Sequence, residues 1–177
     1  AFVMPDPFAG RPRLFRDPIH GDIQWPKDDF GELIRALIDT PAFQRLRHIR
    51  QNGVTNLVFH GAEHSRFAHS LGVAWTASKM LDAIERNLQT RLDPTVREDT
   101  VLAALLHDVG HGPFSHTLEE ILGDFDHESM TSRFLLEPES EIANYVQAFP
   151  YGDIVFLLPP WQEIYTTDAE RDQSFEE

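Results

Sequence analysis

The chain has 177 residues, 41% of them hydrophobic, and a formal net charge of −14. That length supports one core and is short for two, and so acidic a surface repels a polyanion, which excludes a general nucleic-acid binder. With no cysteine there is neither a disulfide framework nor a thiolate metal site, so any metal must be held by histidine and carboxylate, in a setting expected to be cytoplasmic or nuclear.

Pro5, Pro7, Pro12, Pro18 and Pro26 remove backbone donors and fix φ, so residues 1–29 read as an extended arm. From Phe30 the pattern turns helical, with Leu33, Ile34, Leu37 and Ile38 on one stripe. Thr40 then has the cap position and Pro41 the first turn of a second helix, which carries Phe43, Leu46 and Ile49 or Arg50 until Asn52-Gly53 ends it. Arg45, Arg47, His48 and Arg50 make a basic run able to face phosphate. Val54 to Gly61 is β-rich and fits a small strand or a hairpin arm.

A long helix is expected from Ser65 towards Thr90, with Phe67, Leu71, Ala74, Ser78, Leu81, Ile84 and Leu88 sharing one stripe and His69 beside it. Asp93-Pro94 repeats the cap-then-proline form, and Val101, Leu102, Leu105, Leu106 and Val109 continue that helix until Gly110 breaks it. Ser115 can cap a short helix ending at Gly123, Asp126 another through Phe134 and Leu136, and Pro138 to Phe149 is a further amphipathic candidate before Pro159-Pro160. Glu163 to Glu177 is an acidic, solvated end. No apolar run approaches the roughly 18 residues of a membrane helix and no signal pattern opens the chain, so it reads as soluble. The expected fold is all-α, mostly helical, with at most a short β-hairpin.

The segment LLHDVGHGPFSH, Leu105 to His116, places three histidines and an aspartate directly behind an apolar helical run. Neighbouring residues on a helix differ by about 100° around its axis, so His107 and Asp108 do not face each other, yet an ion resting on that face meets both. An imidazole nitrogen with a hard anionic oxygen suits Zn, Fe, Mn or Ni rather than Ca. A further ligand must come from elsewhere, and His69 in RFAHSLG is the best candidate. A lone histidine beside an apolar stripe is ordinarily a core residue with one hydrogen bond. Several ionisable groups together at a buried helix end, with glycines at 110 and 112, carry a desolvation cost that a bound ion offsets. His111, His116 and His127 are then placed to surround an anionic substrate or to give a proton to a leaving oxygen, and Arg66, one turn before His69, to meet a phosphate. Phosphate-ester hydrolysis is the default reaction for such a set.

These residues resemble the HD-domain phosphohydrolases, and within them the deoxynucleoside triphosphate triphosphohydrolases of the SAM and HD domain-containing enzyme family. The resemblance is carried by RDPIHGDI (Arg16 to Ile23), IDTPAFQRLRHIRQNG (Ile38 to Gly53), VFHGAEHSRFAHSLGV (Val58 to Val73), LLHDVGHGPFSH and DHE (Asp126 to Glu128). It implies an HD-domain helical bundle over residues 30–177 behind the arm. It also implies a divalent metal on His69, His107 and Asp108, Mg accompanying the nucleotide, and triphosphate contacts from Arg66, His111, His116 and His127. His116 is implied as proton donor to the 5′ oxygen, with His111 and His127 beside it in the catalytic set, and Gln51 as partner of the sugar 3′-hydroxyl.

The implied reaction converts a dNTP into deoxynucleoside and triphosphate. The resemblance further implies a GTP or dNTP activator bound near Arg13, Asp39, Gln44 and Arg47, in a homo-oligomer, dimer or tetramer. Asn52 and His60 depart from the family pattern, where an apolar residue and a proline stand, so sugar discrimination is expected to differ. The family's downstream aspartate ligand has no matching motif here. Asp153 and Asp168 are the late candidates outside the terminal acids, and the chain reads as the amino-terminal part of a longer protein. The rival readings are another HD activity, a nucleotidase or phosphodiesterase, and a non-catalytic nucleotide-binding module.

Overall fold

A computed structural model of the chain describes residues 13–114, 116–117, 121, 123, 126–137 and 140. The first element among them is a hairpin: β1 (Phe15–Asp17) runs antiparallel to β2 (Gly21–Ile23), with Phe15 opposite Ile23 and Asp17 opposite Gly21. Asp17 closes the turn by accepting from the amides of Ile19 and His20 at 2.8 and 2.9 Å, and Gly21 takes the left-handed φ of +72° that the turn requires. Within the arm, then, two short segments pair and deliver Ile23 and Trp25 to the core, Trp25 edge-on to Trp75 at 5.8 Å. The other β candidate is not one. Residues 54–59 close successive three-residue turns, Leu57 to Val54 and Val58 to Thr55, which consume the donors a strand would need.

Helix α1 (Asp29–Asp39) is capped by Asp28, whose carboxylate accepts from Gly31 at 2.8 Å, and it buries Leu33, Ile34, Leu37 and Ile38 as the stripe predicts. Thr40 serves both neighbours: its hydroxyl donates to the Leu37 carbonyl at 2.7 Å and accepts from the Phe43 amide at 3.3 Å, with Pro41 opening α2 (Pro41–Gln44). Thr40→Ala is expected to destabilise the chain by about 1–2 kcal/mol, because a buried cap and an end carbonyl lose their partner together; urea unfolding checks it.

The helix read through Ile49 is shorter than its periodicity suggests. It tightens into a 3₁₀ turn over Arg45–His48, and Ile49 is extended. A non-local pairing takes over there: Arg66 donates its amide to Ile49 at 2.8 Å, and Gln51 to His64 at 3.0 Å. That pairing brings Gln51 against the start of α3 (Arg66–Leu88), which Ser65 caps. The α3 stripe is buried at Phe67, Leu71, Ala74 and Leu81 and half-buried at Ser78, while Ile84 and Leu88 stay exposed.

Helix α4 (Pro94–Leu106), capped by Asp93 with Pro94 in its first turn, packs on α3 through Val101, Leu102, Leu105 and Leu106. The short connection makes the two helices antiparallel, with Arg97 on Asp82 at 2.5 Å near one end and His69 against His107 at 3.3 Å at the other. Helix α5 (His127–Leu136) begins at Asp126, which accepts from the amides of Glu128 and Ser129. The described residues therefore form an all-α bundle with one two-stranded hairpin. No helix among them is long and apolar enough to cross a membrane. The helix start expected at Ser115 and the helix expected over Pro138 to Phe149 lie outside the described residues.

Candidate metal centre

Helix α4 stops earlier than the apolar pattern suggests, at Leu106, and His107 is its C-terminal cap. Beyond it the chain turns tightly, Val109 donating to Leu106 at 3.0 Å and His111 to Asp108 at 3.1 Å. Asp108, Val109, Gly110 and His111 are consequently buried at the end of the α3/α4 pair. His69, one turn inside the capped start of α3, reaches the same point.

Three ligand-type residues converge there. His69 Nε2 and His107 Nε2 lie 3.3 Å apart, His107 Nε2 lies 3.3 Å from Asp108 Oδ1, and His69 Nε2 lies 3.6 Å from Asp108 Oδ2. Atoms held about 2.1 Å from one ion in tetrahedral array stand about 3.4 Å from each other, so this spacing is that of a ligand set. The protonation pattern agrees with it. His107 Nδ1 sits 2.8 Å from the Ala104 carbonyl, which fixes the proton on Nδ1 and leaves the Nε2 lone pair facing inwards. Burial, with help from His107 and Arg66 and against Asp108, lowers the His69 pKa and favours the neutral ring that can bind metal. Burial pushes Asp108 up, but His107, Arg66, His111 and His69 outweigh it and hold the carboxylate below its ordinary range.

A second histidine group adjoins the first through Asp108. His111 Nε2 lies 3.6 Å from Asp108 Oδ1, and its ring stacks on His127 with centroids 3.8 Å apart and planes at 12°. His116 stands edge-on to both, at 5.1 and 5.2 Å. All three could offer nitrogen to an ion by distance alone. Orientation decides against it: the nearly parallel His111 and His127 rings keep their in-plane lone pairs in separate, stacked planes, whereas the His69 and His107 rings, tilted by 65°, can converge. The first group fits a divalent metal, and the second fits something that accepts hydrogen bonds, such as an anion.

Burial, reinforced by Arg66 and His127, pulls the His111 pKa down to about 3. A folded value below the unfolded 6.5 means that the unfolded chain binds more protons across that window, so stability is present above pH 6.5 and lost as the pH falls. The lowered Asp108 acts in the same direction. The metal-free chain is thus expected to unfold at lower urea at pH 5 than at pH 7; equal midpoints at the two pH values would contradict it.

Arg66 is almost wholly buried and places Nη1 2.5 Å from Asp108 Oδ2, so the charge expected to meet phosphate rests on the ligand carboxylate here. Its Nη2 approaches the Gln51 carbonyl at 3.5 Å. Gln51 Oε1 is a buried acceptor with no hydrogen-bond partner among the described residues. Of the basic run, Arg50 pairs with Glu63 at 3.1 Å, and Arg45 turns inwards and donates to the carbonyls of His111, at 2.7 Å, and Val109. Arg45 thereby braces the histidine-bearing turn, a role that a run of like charges does not announce.

The four residues expected at a regulatory site form two linked pairs. Arg13 contacts Asp39, and Arg47 donates to Gln44 at 2.8 Å. Arg13 lies over Phe15 and Arg47 over Phe67, at 5.1 and 3.6 Å, and those two rings neighbour each other at 6.5 Å. Asp153 and Asp168 lie outside the described residues.

Comparison with known proteins agrees with this geometry. The HD-domain family model matches residues 66–150, a span that opens on Arg66 and includes every residue of both histidine groups. Residues 66–150 thus carry an HD domain. It is 47% identical over 124 residues to the uncharacterized protein YwfO of Bacillus subtilis, a match covering 70% of this chain and 27% of that protein. With the deoxynucleoside triphosphate triphosphohydrolase SAMHD1 of Gallus gallus the identity is 45% over 109 residues, covering 60% of this chain and 17% of that protein. Among solved structures, a phosphohydrolase from Bacteroides thetaiotaomicron superposes with a TM-score of 0.59 at 32% identity, over 78% of this chain and 34% of that one. The chain thus spans about a quarter or less of the curated relatives it matches. Within that span His107 and Asp108 stand together at the α4 terminus, in a setting that fits a divalent metal, and the Bacteroides structure it resembles is named a phosphohydrolase.

Proposed function

We propose that this HD domain serves a metal-dependent dNTP triphosphohydrolase, which cleaves a dNTP to deoxynucleoside and intact triphosphate. The observation that carries the reading is the shared use of Asp108: one carboxylate oxygen faces His69 and Arg66, the other His107 and His111. A metal group and an anion group built on one carboxylate suit a phosphoryl centre held between them. Similarity to SAMHD1, whose name states that activity, supports the substrate class.

His69, His107 and Asp108 would hold the ion, with Zn, Fe, Mn or Ni matching the mixed nitrogen and oxygen donors. When bound, such an ion lowers the pKa of water and offsets charge on the α-phosphoryl oxygens. The chain's own residues do the remainder. Arg66 keeps Asp108 ionised and in place. His111 and His127 hold the triphosphate, which enters with Mg, through ring N–H groups. The water oxygen bonds to the α-phosphorus, the bond from phosphorus to the 5′ oxygen breaks, His116 gives that oxygen its proton, and the proton that the water loses passes through solvent to restore His116. Gln51 Oε1, a buried acceptor lacking a donor, suits the sugar 3′-hydroxyl. The linked pairs Arg13–Asp39 and Gln44–Arg47 are the proposed place for a GTP or dNTP activator in a dimer or tetramer.

The test is product analysis. Protein loaded with Mn is expected to release inorganic triphosphate and deoxynucleoside from a dNTP in the presence of GTP. Orthophosphate or a monophosphate as product would replace this reading with that of an HD nucleotidase or phosphodiesterase, and no turnover of any dNTP would leave only a binding module.

A further inference from the structure

We infer that Thr131 is a positioning residue, whose hydroxyl staples α5 to the ligand-bearing turn and so sets the His111–His127 stack. Its consequence for catalysis rests on the phosphohydrolase reading; the staple itself does not.

Thr131 lies one helical turn beyond His127, so both side chains leave α5 on the same face. Its Oγ1 accepts from the Gly110 amide at 3.0 Å and donates to the His107 carbonyl at 3.4 Å. Both partners matter. The His107 carbonyl belongs to the last turn of α4 and has no intrahelical acceptor role left to fill, and the Gly110 amide lies in a buried turn where an orphaned donor is costly. One hydroxyl therefore serves the residue that presents the metal-facing His107 imidazole and the turn that leads to His111.

The approach is close. A Cβ on Gly110 would overlap the His127 carbonyl and the amide and hydroxyl of Thr131, so α5 rests directly on backbone there. With rings 3.8 Å apart, a slip of α5 by a fraction of a turn separates His127 from His111. Arg45 holds the same turn through the His111 and Val109 carbonyls and lies over Phe134 of α5 at 5.4 Å, so a second side chain joins the turn to α5. Removing the Thr131 hydroxyl leaves the Arg45 grip and the apolar packing of α5 intact, which separates positioning from folding.

The experiment compares Thr131→Val, which keeps the branched shape without the hydroxyl, with Thr131→Ser, which keeps the hydroxyl. In Thr131→Val, NMR is expected to show faster hydrogen exchange at the Gly110 amide and a changed ring-current shift of His127. Its kcat for dNTP hydrolysis is expected to fall about 10- to 100-fold, with a smaller change in KM and the same metal content. Thr131→Ser should restore exchange protection and kcat. Unchanged Gly110 exchange and His127 shift in Thr131→Val would overturn the staple. A kcat that falls equally in both variants, together with lost thermal stability, would overturn positioning in favour of plain packing. If the wild-type protein hydrolyses no dNTP, the phosphohydrolase reading fails, and the NMR comparison still decides the staple.

Discussion

Asp108→Asn is expected to abolish metal binding and to destabilise the metal-free chain by about 3–5 kcal/mol. Both losses come from the position of the carboxylate. Arg66 is 2% exposed and Asp108 6% exposed, with 2.5 Å between Nη1 and Oδ2, so the substitution strands a guanidinium where water does not reach it. It also leaves His69 and His107 as two neutral nitrogens without an anionic partner, too weak a set for a divalent ion. Metal analysis and urea unfolding of the variant read the two effects separately. Adding Arg66→Met should recover much of the stability, because the stranded charge is gone, and none of the metal. A variant that loses metal with an unchanged urea midpoint would contradict the buried pair.

Gly110→Ala is the second large effect. The new methyl would fall on the His127 carbonyl, the Thr131 amide and Oγ1, and backbone atoms of a helix cannot step aside singly. Relief requires α5 to lift as a unit, carrying His127 off His111. The expected cost is about 1–3 kcal/mol in unfolding and about 100-fold or more in kcat/KM for dNTP hydrolysis. Urea unfolding and steady-state kinetics check it, and an alanine variant with wild-type kinetics would show that the approach of α5 is looser than described.

What was legible in the sequence is what local chemistry fixes. Ser65, Asp93 and Asp126 cap their helices and Thr40 with Pro41 joins α1 to α2, because a cap needs only the next three residues. That His69, His107 and Asp108 come together was legible for a related reason. His107 and Asp108 are adjacent in the chain, and His69 lies on α3, which a short connection folds back against them.

The misplaced features depend on partners distant in sequence. Periodicity carried the second helix through Ile49, but pairing of residues 49–51 with 64–66 pulls that stretch out straight. Val54 to Gly61 has strand-like composition and no strand to pair with among the described residues, and it folds into turns. The hairpin at residues 15–23 was hidden because prolines argue against helix without arguing for pairing; Asp17 and Gly21 were the available signals. Arg45 reads in the sequence as part of a basic run able to face phosphate, and Thr131 carries no signal of its own. Each is defined by carbonyls and amides of a turn that no spacing rule connects to it.

Metal content read together with ligand identity tests the central claim most directly. The protein should hold one tightly bound divalent transition ion, with anomalous diffraction placing it on His69 Nε2, His107 Nε2 and an Asp108 carboxylate oxygen. A diffraction map showing those three side chains bonded to one another or to Arg66, in protein purified and crystallised with Mn present and carrying no ion there, would contradict it.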